Sequence, residues 1–150
     1  LFSPLCYLRK EIAMRDLANH ISIKRAISPG AAVADNTPIV SSIIDLSGYG
    51  GAVLAIAIGQ IADADATFNV LLQHGDQANL SDAADVPDSQ LTGTEAAAGF
   101  KFDSDDQTRK LGYVGPKRYL RLTITPVNNA GNAFVSAVAI LSGARYSPAP

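Results

Sequence analysis

The chain has 150 residues, of which 47% are hydrophobic and 17% charged, with a formal net charge of −2. That is the profile of a globular, fairly uncharged chain large enough for one domain with its own core. No apolar run reaches the ~18 residues of a membrane span, and a single cysteine, Cys6, excludes an internal disulfide framework. A lone Cys reads as a small buried hydrophobe rather than as a nucleophile.

The charge is unevenly placed. Leu1 to Arg25 holds Arg9, Lys10, Arg15, Lys24 and Arg25 against Glu11 and Asp16, and Arg109 to Pro150 holds six bases and no acid. The acidic middle carries Lys101 alone among bases. Basic ends of this kind suit docking on an oppositely charged partner. The aromatic interleaving of a nucleic-acid groove is missing, so no direct nucleic-acid contact is expected.

In chain order, residues 1–20 read as an N-terminal arm or extension and 21–150 as a single β-sandwich domain. Met14-Arg15-Asp16 looks like a natural beginning, which makes the preceding residues an upstream extension, a processed product or an arm. Ile21 and Ile23 alternate with polar residues and, after a slip, lead to Ile27, which predicts a first strand. Ile39 to Asp45 is a second. Ser47 to Gly51 forms a turn, Ala52 to Ile58 a buried strand, and Thr67 to His74 another. Gly75 to Gly93 loses the pattern and reads as a surface excursion, with a short helix near Asn79 to Asp85. Gly99 to Asp103 and Gln107 to Val114 return to extended chain.

The Gly115-Pro116 step predicts a corner, because Pro fixes φ and Gly accepts angles other residues resist. Beyond it, Leu120, Leu122 and Ile124 alternate with Tyr119, Arg121, Thr123 and Thr125, the two-residue period of a half-buried strand. In Ala133 to Leu141, Phe134, Ser136, Val138 and Ile140 alternate against Val135, Ala137, Ala139 and Leu141. Short strands broken by Gly, Pro and Asp turns predict an all-β, jelly-roll-like antiparallel β-sandwich of about eight strands with an extended N-terminal arm.

Reaction chemistry is not legible. His20 and His74 lack the spaced partners of a zinc site. Gly48-Tyr49-Gly50-Gly51 lacks the spacing of a phosphate loop, and no G-x-S-x-G elbow exists. Asp63-Ala64-Asp65 and Asp103-Ser104-Asp105-Asp106 lack the full ligand set of a calcium loop. No catalytic residue, metal or cofactor is expected, and the chain does not read as an enzyme.

Four segments carry a family resemblance: IDLSGYGGAVLAIAIG, DATFNVLLQHGD, LGYVGPKRYLRLTIT and VAILSGARYSP. Their order, from about Ile21 to Pro148, resembles capsid cement (decoration) proteins of tailed bacteriophages, including that of the Bordetella phage group. The resemblance implies a structural protein on the outer surface of the virion. It would bind the major capsid protein and cement neighbouring subunits, often as a homodimer, without touching a membrane. The family has no fixed contact motif. Charge selects Arg9, Lys10, Arg15, Lys117, Arg118 and Arg121 as candidate partner-binding residues. The competing expectation is a carbohydrate- or receptor-binding sandwich, with Tyr7, Tyr49, Tyr113, Tyr119 and Tyr146 as stacking platforms.

Overall fold

The computed structural model describes residues 16–146 and 149. Most of the expected arm, including Cys6, Tyr7, Arg9, Lys10 and Arg15, lies outside the described residues.

Eleven strands form among the described residues: β1 (Ser22–Ile27), β2 (Ile39–Val40), β3 (Ile44–Asp45), β4 (Gly51–Ile61), β5 (Thr67–Gly75), β6 (Ala84–Asp85), β7 (Leu91–Thr92), β8 (Phe100–Lys101), β9 (Thr108–Tyr113), β10 (Tyr119–Val127) and β11 (Ala133–Ser142). Among the described residues one short α-helix, α1 (Glu95–Ala98), precedes β8, and a single 3-10 turn spans Asp88–Gln90. The front sheet runs β1-β11-β4-β9-β7, and the back sheet runs β2-β10-β5-β6, with β3 also on β10 and β8 also on β5. All of these pairings are antiparallel. The expected antiparallel β-sandwich is therefore what this chain forms.

The alternation in β10 works as its sequence implies. Leu120, Leu122 and Ile124 are fully buried, while Tyr119, Arg121, Thr123 and Thr125 on the other face are half-buried. Opposite them, Leu54 and Ile56 of β4, Leu111 of β9 and Ala139 and Leu141 of β11 complete the layer between the sheets. Phe68 and Phe100 stack within it, centroids 4.7 Å apart. The slip in the first strand is a real bulge: the β1–β11 register shifts between Arg25 and Ile27, so that Ala26 and Ile27 both point inward.

Three expectations change. The second strand is split into β2 and β3, both on β10, because Ser41 turns inward between them. Its N–H donates to the Leu122 carbonyl, and its Oγ accepts from the Leu122 N–H at 2.9 Å. No helix forms at Asn79 to Asp85; turns and β6 occupy it, and the helix lies later, where Thr94 Oγ1 accepts from the Ala97 N–H. The Gly75 to Gly93 excursion is also not purely superficial. Leu80, Val86 and Leu91 are buried and anchor it at intervals, too sparsely to give a periodic signal. Past it, Glu95 accepts the Leu72 N–H at 2.9 Å, on the edge of β5 between β6 and β8.

The Gly115-Pro116 corner carries the chain from β9 in the front sheet to β10 in the back sheet. Leu122, fully buried on β10, should be the most sensitive kind of position. Leu122→Ala is expected to cost about 2–5 kcal/mol, the transfer loss plus a cavity. Thr125→Ala, on the outer face, should stay within about 0.5 kcal/mol of the parent. Urea unfolding midpoints of the two variants check this.

Candidate docking site

The selected cations within the described residues prove to have partners in their own chain. Lys117 Nζ lies 2.6 Å from Asp76 Oδ2. Arg118 grips Asp45 with two hydrogen bonds, Nε to Oδ1 at 2.9 Å and Nη2 to Oδ2 at 3.0 Å. That guanidinium, helped by the Ser47 N–H, holds the Asp45 carboxyl below its ordinary range. It also sits 5.1 Å from the centre of the Tyr119 ring. Arg121 lies apart, on the outer face of the back sheet. Its Nη2 donates to Gln73 Oε1 at 2.8 Å, and Gln73 Nε2 donates to Asp85 Oδ1 at 3.2 Å. On the outer face of the back sheet, Arg121 and Asp85 are thus linked through Gln73 rather than in a direct ion pair.

The front sheet is different. Cross-strand register aligns Ile23, Ile140, Val53 and Gly112 in one outward row, and Arg25, Val138, Ala55 and Lys110 in the next. A third row is Ser136, Ala57 and Thr108. Ile23 is 62% exposed and Val138 36%, so this apolar surface meets solvent. Every ionic group in these rows is positive. β4, read as a wholly buried strand, is buried on one face only, and its small outward residues keep the surface flat. This face was missed because charge alone selected residues, although the apolar residues on both sides of β11 were a visible signal.

At one end of the sheet the surface opens into a cleft of about 340 Å³. It is lined by Tyr49 and Gly50 of the turn before β4, by Gly115, Lys117 and Arg118 of the corner, and by Arg145. The Arg145 N–H donates to the Gly48 carbonyl at 2.9 Å, and the Gly50 N–H to the Ser142 carbonyl at 2.9 Å, which ties the segment after β11 to the cleft wall. Gly143, at φ +66°, lies so close to Gly50 that a Cβ there would come within 3.2 Å of the Gly50 nitrogen. Of the five tyrosines, Tyr113 is buried and cannot serve as a stacking platform, whereas Tyr146 is exposed. Among the described residues no group of three or more His, Cys, Asp or Glu is placed to hold a metal ion.

No protein-family model matches the sequence, and no curated protein matches it. Among solved structures, the chain is similar to a Clostridium thermocellum xylanase 10B fragment with CBM22-1 and GH10 modules complexed with xylohexaose, at 12% identity and a TM-score of 0.43. It is also similar to a family two carbohydrate esterase from Cellvibrio japonicus, at 16% identity and a TM-score of 0.33. Each alignment covers 87% of this chain but only 26% and 36% of the other, so the chain spans about a third or less of those proteins.

Beneath the cleft, Tyr113 Oη accepts the Lys117 N–H at 3.0 Å and lies 2.9 Å from His74 Nδ1. Which of the two groups donates in this contact follows from the imidazole tautomer. Burial lowers the His74 pKa from its ordinary 6.5, and the Lys117 charge adds to this, while Asp76 and Asp82 oppose it. The unfolded chain therefore takes up the proton first on acidification. The contribution of His74 to stability is present above pH 6.5 and is lost as pH falls toward the lower folded value. Urea midpoints taken from about pH 7.5 to about pH 5 should decline more steeply for the parent than for His74→Gln. Equal slopes would assign the decline to other groups.

Proposed function

We propose that this protein is a capsid-binding structural protein that docks on the outer surface of a bacteriophage shell and cements neighbouring subunits. The observation that carries this reading is the flat outer face of the front sheet: apolar in its centre, cationic at Arg25 and Lys110, and without an acid in its three rows. Exposed apolar surface of this kind marks an interaction site. Its charge favours a partner whose apolar patch is rimmed by carboxylates, with complementarity setting rate and register more than affinity. Repetition around a shell multiplies a modest contact by avidity. The sequence resemblance supports the same occupant, the major capsid protein.

Lys117 and Arg118 enter this reading as braces of the cleft rather than as free cations, since each already holds a carboxylate. Exposed pairs of this type contribute only about 0.2–1 kcal/mol, so apolar contact must supply most of the binding.

The test is cosedimentation with purified shells. The parent should be retained in a fixed ratio to the main shell subunit. Ile23→Asp and Val138→Asp, both on the exposed face, should each weaken retention about tenfold or more through lost apolar burial. Retention of both variants at the parent's level would remove the front sheet from the interface. Binding to a glycan array without shell retention would replace this reading with the carbohydrate-binding one, for which exposed Tyr146 offers a ring face.

The same reading includes a symmetric dimer, the commonest closed assembly of small proteins. Two copies packed through their front sheets would set like charge against like, so strand edges and loops are the surfaces left for self-contact. Sedimentation at micromolar concentration should give twice the chain mass, and Val138→Asp, on the inner strand β11, should leave it unchanged. A monomer there and on the shell would exclude the dimer.

A further inference from the structure

The cleft holds three cations in different circumstances. Lys117 and Arg118 each face an in-chain carboxylate, Asp76 and Asp45. Arg145 has no carboxylate within ion-pair distance among the described residues. Asp45 cannot be shared easily, because Oδ1 already accepts from Arg118 and the Ser47 N–H and Oδ2 from Arg118. Counted over the described residues, the cleft wall therefore carries one positive charge in excess. Glycines 48, 50 and 115 line it, and at Gly48 a Cβ would meet nothing within 4 Å, so the wall is open there.

The cleft also adjoins the docking face. Gly50 and Gly115 belong to the cleft, while Gly51, Val53, Gly112 and Val114 line a shallow apolar depression at the end of the front sheet. A partner seated on that face would present its rim directly to Arg145.

We propose that this cleft receives a single carboxylate, an Asp or Glu side chain of the shell protein docked on the front sheet, with Arg145 as its ligand. The assignment rests on the docking reading above for the source of the carboxylate, and on the cleft alone for its chemistry. One guanidinium without a carboxylate partner among the described residues matches one carboxylate in charge and in fork geometry. A dianionic phosphate would bring a second charge that Lys117 and Arg118 could meet only by giving up Asp76 and Asp45. Lys117 and Arg118 act here as positioning residues that hold the corner and the turn on either side of Arg145.

The test uses the whole chain, labelled so that the arginine Nε–H signals are resolved, and titrates it with propionate, inorganic phosphate and glucuronate. Propionate should move the Arg145 signal saturably at roughly millimolar concentration, and Arg145→Gln should abolish a second set of shifts at the Gly48 and Gly50 backbone amides. A still Arg145 signal, or phosphate binding more tightly than propionate, would overturn the assignment. Glucuronate binding about tenfold more tightly than propionate would also overturn it, in favour of an acidic sugar.

On shells, Arg145→Gln should lower retention by about three- to tenfold near 0.05 M salt. The deficit should shrink near about 0.5 M salt, and Arg145→Lys should recover only part of it. Retention of Arg145→Gln at the parent's level in both salts would overturn the role of Arg145 and leave the docking reading intact. Failure of the parent itself to bind shells would overturn the docking reading, and the shell carboxylate with it, while the propionate result would still report on the cleft.

Discussion

The fold depends on the nine-position register between β10 and β5. β10 is the strand on which most of the back sheet is assembled: it takes β2 and β3 on one edge and β5 on the other. Its inward Leu120, Leu122 and Ile124 then meet the side chains of the front sheet. A slip of one residue would exchange these for Arg121 and Thr123 and bury a guanidinium in the core, which is why the register is so tightly specified. The Gly115-Pro116 corner fixes where that register starts. Its geometry depends on Gly115, where a Cβ would come within 2.6 Å of Tyr113 Oη and 2.5 Å of Gln90 Oε1.

Long strands with a two-residue period were legible in the sequence, down to the bulge in β1 that displaces Ile27 from the phase set by Ile21 and Ile23. Of the two-residue strands, β2, β3 and β8 fall inside stretches that read as extended, whereas β6 and β7 were not legible. β6 and β7 are extended because β5 and β9 offer them partners, and no local pattern of two residues encodes that. Leu80, Val86 and Leu91 stand alone among polar neighbours, so their burial is decided by distant strands.

The candidate site was legible only in part. A net positive C-terminal third was plain, but counting charge cannot distinguish a cation already held by a carboxylate from one that is not. Asp76 and Asp45 lie 41 and 73 positions from Lys117 and Arg118. Only the fold brings them together, and only the fold leaves Arg145 as the cation of the cleft without such a partner among the described residues. The outward side of the front sheet was hidden for a different reason. Apolar residues on both faces of β4 and β11 look the same whether a strand is covered on two sides or on one.

The corner that joins the two sheets also has a mechanical meaning. Residues 114–118 connect the end of β9 directly to the start of β10, and they form part of the cleft wall. A pull on that corner along the strand direction is transmitted down both strands at once. It loads the six register positions of β9 with β4 and the nine of β10 with β5 together, in shear. Rupture would then require many backbone hydrogen bonds to fail together, whereas a pull on a sheet edge would open them one by one. A tether attached here would resist a sudden stress better than one attached at a sheet edge.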